Sequence, residues 1–452
     1  DRKAAVPFRA EPTVGKVCMA FSSQPLIAIL AAGDIQPDRK KRAMFLSRVL
    51  FPLLQPRVHP RKLRPPTLQE CTVALVCSAY GMFWKLVKEF ALVPAVAGLL
   101  LGQGKAAEQK SGREIFRSAC AACHGFDGRG APEASRGFEA PPTFPDFTDC
   151  VATAREPDRF WSAIIHNGGP DRGFSEIMPS FREALTSDEI ARVIDYVRGF
   201  CRESAWPHGN LNLPRALVTE KAFPEDEMVM DFAVNAEGNA GITDKFVYEK
   251  RLGARGQLDI SLPFRLQKPG GTSWMGGAGD LVTGYKHVVL SNLRTGSILS
   301  LAGEVVWPTG DAARGMGKGV TVFETFASYG QLLPRNSFLQ FQGGVELPTH
   351  TDDANRAVFW RTVVGKSFAP DGGLGRLWSP MVELLADREL ATGERVNWDV
   401  VPQFQVTLSR RQHIRANIGV RLPVNNAGPR TTQILFYLLW DTFDGGLFEG
   451  WK

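Results

Sequence analysis

The sequence predicts a multidomain chain in which a small all-α domain precedes an antiparallel transmembrane β-barrel of about 12 strands. Three observations predict it. A Cys120-Ala-Ala-Cys123-His124 motif ends a short helical pattern. Thr186-Ser-Asp-Glu189 is a capping box that opens a second helical pattern. From about residue 226 onward, apolar and polar residues alternate in long segments separated by turn residues.

The chain has 452 residues, 44% hydrophobic and 22% charged. Wholesale disorder is excluded, and there is room for two or three domains. The formal charge of +6 is unevenly placed: residues 1–81 carry a net +8, residues 82–106 a net +2 and the remainder −4. The basicity is thus confined to the N-terminal stretch, and nucleic acid is not expected as a partner. No apolar run reaches the ~18 residues of an ordinary transmembrane helix.

Residues 1–81 are rich in Arg and Pro and show no sustained period. They are expected to be an unstructured or non-native upstream segment, with translation starting at Met82; a disordered basic arm is the alternative. Residues 82–106 read as a secretory signal peptide. Lys85 and Lys88 are basic, Phe90 to Leu101 is apolar, and small residues follow near Ala106. A short buried helix is the alternative there. Export to the periplasm and outer membrane is the expected localisation.

Residues 107–209 hold the chemistry. Cys-x-x-Cys-His is the attachment pattern of c-type haem. Two thiols three residues apart on one helical turn reach the two vinyl groups of one porphyrin edge, and the adjacent His124 presents its imidazole to the iron. A zinc site needs a second ligand pair, and none follows at suitable spacing. A thioredoxin-type pair does not need His124 and belongs inside a βαβ unit. Met178-Pro179 follows Gly168-Gly169-Pro170, and a thioether on a Pro-stiffened loop is a soft sixth ligand that raises the potential. Met178 as core filler is the alternative. His166 is the rival ligand, read as a structural histidine near the haem edge, and His208 lies outside the haem-binding unit.

After the capping box, Ile190, Val193, Ile194 and Val197 form one apolar face. Tyr196 and Phe200 add to its packing against Ile115 and Phe116. Cys150 and Cys201 are the thiols left in the exported part and are expected to form a disulfide; two inert buried thiols are the alternative.

Through Gly112, Phe116, the Cys120/Cys123/His124 site, Met178-Pro179 and the final helix with Tyr196, residues 111–201 resemble a class I cytochrome c. The resemblance implies one covalent haem c with His124 and Met178 as axial ligands of the iron.

Residues 210–225 are Pro-punctuated and read as a linker into β structure; residues 226–452 read as the barrel. Ile414, Ala416, Ile418, Val420 and Leu422 alternate with His413, Arg415, Asn417, Gly419 and Arg421. Twelve such segments are expected, at 227–235, 242–251, 255–266, 279–292, 295–307, 318–331, 335–347, 355–366, 375–386, 394–409, 412–423 and 430–443. Each is near or above the ~9–11 residues that a tilted strand needs to cross a bilayer. Asp259, Glu346, Asp399 and Arg415 put full charges on the polar face, which suits a wet lumen, and Trp307, Phe323, Trp360, Trp378, Phe436 and Trp440 stand near segment ends. A soluble β-sandwich is the alternative. With Gly277-Ala-Gly-Asp280-Leu281, the pattern is similar to outer-membrane channel-type proteins, which implies outer-membrane lipid around it.

An iron filled by a methionine leaves no open position for a substrate, so an electron carrier is expected rather than an enzyme. Its expected partners are periplasmic redox proteins or other cytochromes. Two other functions remain open: a porin-like solute channel with the cytochrome as plug or redox sensor, and a soluble periplasmic electron carrier with a β binding module. The order of parts is similar to that of the fused monohaem cytochrome–porin iron oxidases. The motif around Cys120 departs from theirs, so only the architecture is carried over.

Overall fold

A computed structural model describes residues 109–271, 273–425 and 430–442. The upstream segment 1–81 and the signal peptide 82–106 lie outside the described residues.

The helical domain is built on α1 (Gly112–Ala119), α2 (Ala121–His124), α3 (Asp158–Asn167) and α4 (Ser187–Arg198). Both α1 and α4 begin with a complete capping box, Ser111 with Glu114 and Thr186 with Glu189. These boxes satisfy N–H groups that a helix start leaves open. The two helices cross at Gly112, where a Cβ would fall 1.9 Å from the Arg192 carbonyl oxygen. Ile115, Phe116, Val193 and Val197 are buried at that crossing. The Phe116 ring lies 5.4 Å from Tyr196 and 5.5 Å from Phe200. The 3–4 spacing read in the sequence is therefore the packed face.

A disulfide joins Cys150 to Cys201 across 51 residues and ties the start of a helical turn to the chain just after α4. Closing a loop of that length removes about 4 kcal/mol of unfolded-state entropy. Cys201→Ser is expected to lower the unfolding free energy of the helical domain by about 2–4 kcal/mol. Denaturant titration of the full chain followed by haem-domain absorbance checks it.

The C-terminal half is a closed antiparallel barrel. Its pieces are β1 (Glu227–Asn235), β2 (Gly241–Leu252), β3 (Gly256–Gln267), β4 (Met275–Ala278), β5 (Leu281–Asn292), β6 (Ser297–Trp307), β7 (Val322–Leu333), β8 (Ser337–Pro348), β9 (Ala357–Lys366), β10 (Trp378–Glu389), β11 (Asn397–Thr407), β12 (Ile414–Pro423) and β13 (Gln433–Asp441). Each pairs with its sequence neighbours, and β1 closes the ring on β13. β4 and β5 both pair with β3 and form one stave, giving 12 in all. The expected segment 279–292 is found as β5, and β4 extends the same stave upstream of it after a break at Gly279–Asp280. Opposite the break stands Pro263, which has no N–H to donate, and its carbonyl takes the Gly279 N–H at 2.8 Å.

The barrel is inverted relative to a soluble sheet. On β3, Leu258, Ile260, Leu262 and Phe264 are exposed on the outer wall, while Gln257 and Asp259 are buried inside. On β10, Val382 and Leu384 face out and Glu383 faces in. An apolar exterior over a polar interior is what lipid demands. Among the described residues, no helix is long and apolar enough to cross a membrane.

Two expectations are corrected inside the barrel. Residues 210–225, read as a linker between domains, run through the lumen. Leu211, Leu213, Ala216, Thr219, Ala222 and Phe223 are all buried. Glu383 accepts the Leu217 and Val218 N–H groups at 2.9 and 3.1 Å and the Thr219 N–H at 2.8 Å. Gln340 donates to the Pro214 carbonyl, and Lys286 to the Lys221 carbonyl. Arg215 pairs with Glu227 and Glu249, and Lys221 with Glu225. Three of the four charges expected to line a wet lumen are in ion pairs, Arg415 with Asp441, Asp399 with Arg421 and Arg430, and Glu346 with Lys318, while Asp259 accepts a hydrogen bond from Gln257 on the same strand. A buried charge is tolerable only when paired, so inward-facing charge creates these pairs rather than free charge in water. Among the described residues it is this linker segment that occupies the lumen.

Candidate haem site

The site residues come from two parts of the helical domain. Cys120 ends α1 and begins α2. Its carbonyl accepts the Cys123 N–H at 3.1 Å and the His124 N–H at 3.0 Å. All three side chains thus spring from one turn. Both thiols are free and half-buried. Burial, with Cys123 alongside, pushes the Cys120 thiol up to about 11 and keeps it protonated.

His124 lies between aromatic rings, stacked on Phe144 at 5.2 Å and tilted 5.0 Å from Phe147. Burial pushes its pKa down to about 4, so the imidazole is neutral and keeps a free lone pair. Its Nδ1 is buried without a hydrogen-bond partner among the described residues. An orphaned buried nitrogen beside two free thiols is a donor set without its acceptor. It fits a haem joined through Cys120 and Cys123 and ligated by His124.

Met178 lies on the loop after α3. The Gly169 N–H donates to the Met178 carbonyl at 3.0 Å, and Gly168 turns the chain at a φ of +91°. The Met178 side chain is half-buried. His166, the rival, has its Nδ1 on Asn167 Oδ1 at 2.7 Å. His208 accepts the Asn210 N–H through Nδ1 and faces Asp158 at 3.6 Å through Nε2, so both its nitrogens have structural partners.

The helical domain meets one end of the barrel, and both lie within Gly104–Lys452 as one unit. Arg155 pairs with Asp226, and His413 Nε2 lies 2.9 Å from Glu156. Arg255 donates to the Ala205 carbonyl at 3.0 Å, and Arg172 to the Leu374 carbonyl. All four barrel partners lie where β1 begins and β13 ends. Sequence reasoning missed this interface and the lumen acceptor Glu383. Its one sequence signal was charge at inward strand positions.

Residues 107–197 match the family model described as cytochrome C oxidase, cbb3-type, subunit III. No curated protein matches the chain. Similar solved structures include an outer membrane channel from Pseudomonas putida F1, at 11% identity and a TM-score of 0.36, covering 50% of this chain and 99% of that one. The NanC porin matches at 6% identity and 0.34, covering 47% and 98%. The KdgM porin matches at 6% identity and 0.31, covering 48% and 98%. The barrel is established by its own strand pairing rather than by these likenesses. The chain thus joins a segment that matches a c-type cytochrome family model, with the haem that such a match implies, to a closed antiparallel barrel of 12 staves.

Proposed function

We propose that this chain carries electrons on one haem c, covalently held by Cys120 and Cys123, with His124 and Met178 as axial ligands, at the periplasmic end of a barrel that anchors it in the outer membrane. The observation that carries the reading is the single turn on which two free thiols flank a buried, neutral, partly unsatisfied histidine. Haem held there supplies one-electron chemistry at its iron. The chain's own part is to fix the porphyrin edge through two thiols, keep His124 unprotonated, and shield the site with Phe144 and Phe147.

The orientation is supported by loop lengths. Of the five turns at the end that meets the helical domain, three are tight, at 253–255, 293–296 and 334–336, and two are longer, at 367–377 and 408–413; the far end has the long loops 308–321 and 349–356. Barrels of this kind keep short turns on the periplasmic side. One haem at one rim does not bridge an apolar band about 25 Å tall. Its partners are therefore periplasmic redox proteins or other cytochromes on the same side. The filled lumen favours an anchor over a solute channel.

The test is a haem-stained gel of separated membranes, boiled and unboiled. A haem band in the outer-membrane fraction that shifts on heating is expected. Haem staining confined to the soluble periplasm overturns the reading. Within it, Met178→Ala is expected to leave haem attached, lower the midpoint potential and open the iron to added ligands. Redox titration checks this; an unchanged potential points to His166 instead.

A further inference from the structure

The loop that carries Met178 is held from outside its own domain. Its backbone is closed on itself at Gly169: the Phe174 N–H donates to the Gly169 carbonyl at 2.9 Å and the Gly169 N–H to the Met178 carbonyl at 3.0 Å. Phe174 and Met178 are therefore tied to the same residue. Gly168 and Gly173 adopt φ values of +91° and +70°. A loop with glycines at such angles has little stiffness of its own.

Two barrel turns grip residues 172–174. The turn 367–377 between β9 and β10 offers the Leu374 carbonyl, which accepts from the buried Arg172 guanidinium. The turn 408–413 between β11 and β12 supplies Arg411, itself buried. Arg411 Nη2 donates to the Gly173 carbonyl at 3.4 Å, and its guanidinium lies 4.8 Å from the centre of the Phe174 ring. The other docking contacts, Arg155–Asp226, Glu156–His413 and Arg255–Ala205, fall on different stretches of the helical domain.

We infer that the barrel positions the sixth haem ligand: Arg411, with the Leu374 carbonyl, braces the 172–174 corner and so fixes the loop that presents Met178. This rests on the reading of Met178 as the ligand. Arg411 is a positioning residue, since it touches the loop and not the thioether. The barrel is then part of the redox centre as well as its anchor. Releasing the corner raises the fraction of molecules in which the thioether is off the iron, and an added ligand competes better for that position.

The test uses the full-length holo-protein with Arg411→Ala, Arg411→Lys, His413→Ala and Met178→Ala. Three quantities are read: the weak red absorption band of thioether-ligated ferric haem, imidazole affinity of the ferric form, and hydrogen exchange at the amides of residues 173–178. Arg411→Ala is expected to keep its haem and its heat-modifiable barrel. Its red band weakens, imidazole binds roughly tenfold tighter, as loss of one charged hydrogen bond allows, and the loop amides exchange faster. Arg411→Lys recovers part of each effect. His413→Ala, which loosens docking away from the loop, leaves all three unchanged. Equal effects of His413→Ala and Arg411→Ala overturn the inference, since docking in general is then what matters. An unchanged band and affinity in Arg411→Ala, while Met178→Ala abolishes the band, also overturn it and leave the ligand reading standing. No band in the wild type, or a band that survives Met178→Ala, retires the ligand reading and this inference with it.

Discussion

Cys123→Ala is expected to yield a chain without stable holo-protein: haem staining after denaturing electrophoresis falls close to nothing, and Cys120→Ala/Cys123→Ala leaves none. The reason is geometric. The two thiols and His124 share one turn whose carbonyl at Cys120 caps the amides of the other two. With one thiol gone the porphyrin edge can no longer be fixed against His124 through two thioethers, so stable attachment is expected to fail. The consequence reaches the fold. Phe147, Trp161 and Ile165 pack against the Ile115–Phe116–Val193–Val197 cluster. His124 Nδ1 is buried without a partner among the described residues. A haem packed and ligated in the folded domain, contacts that the unfolded chain lacks, stabilises the fold. The variant is therefore expected to lose thermal stability in the helical domain while its barrel stays heat-modifiable. Haem staining equal to wild type sinks the assignment of these thiols.

The barrel was legible because lipid and lumen impose period two on every stave. Asp259, Glu346, Asp399 and Arg415 could be read as lumen-facing from alternation alone. Their partners could not, because Lys318, Arg421, Arg430 and Asp441 come from other strands and loops. The break between β4 and β5 was written in Pro263, but a proline interrupts a ladder on the neighbouring strand, where the sequence gives no local sign. Asp280 stood in a quoted motif without a role. It is buried and takes the Gly310 N–H at 2.9 Å and the Lys318 N–H at 2.6 Å, so it folds the 308–321 loop. In the helical domain Thr186–Glu189 was recognised as a cap, while the equivalent Ser111–Glu114 pair went unread. The attachment site was legible because its chemistry is local. The Arg411 brace was not, because it joins residues 238 positions apart.

Residues 210–225 are the clearest case of structure set by distant partners, and Glu383→Ala tests what they do. Barrels of about 8 strands are filled by their own side chains and those of about 16–18 are open. Twelve leaves room for one extended segment, and this one takes it. Glu383, fully buried, takes three consecutive backbone N–H groups, at Leu217, Val218 and Thr219, together with the Thr219 hydroxyl at 2.6 Å. Gln403 supports it from β11 and also takes the Leu217 N–H at 3.0 Å. Removing the carboxylate leaves at least two buried amide donors without an acceptor, at about 1–3 kcal/mol each. The segment is held at both ends, by the helical domain and by β1, so it is expected to loosen rather than leave. In planar bilayers the wild type is expected to be closed, and Glu383→Ala to show fluctuating ion conductance. Glu383→Gln, which keeps one acceptor oxygen, should fall between them. Haem content and potential should not change, because neither Glu383 nor Gln403 contacts the helical domain among the described residues. Wild-type conductance as large as that of Glu383→Ala means the segment does not seal the lumen, and the solute-channel function then takes precedence over the anchor.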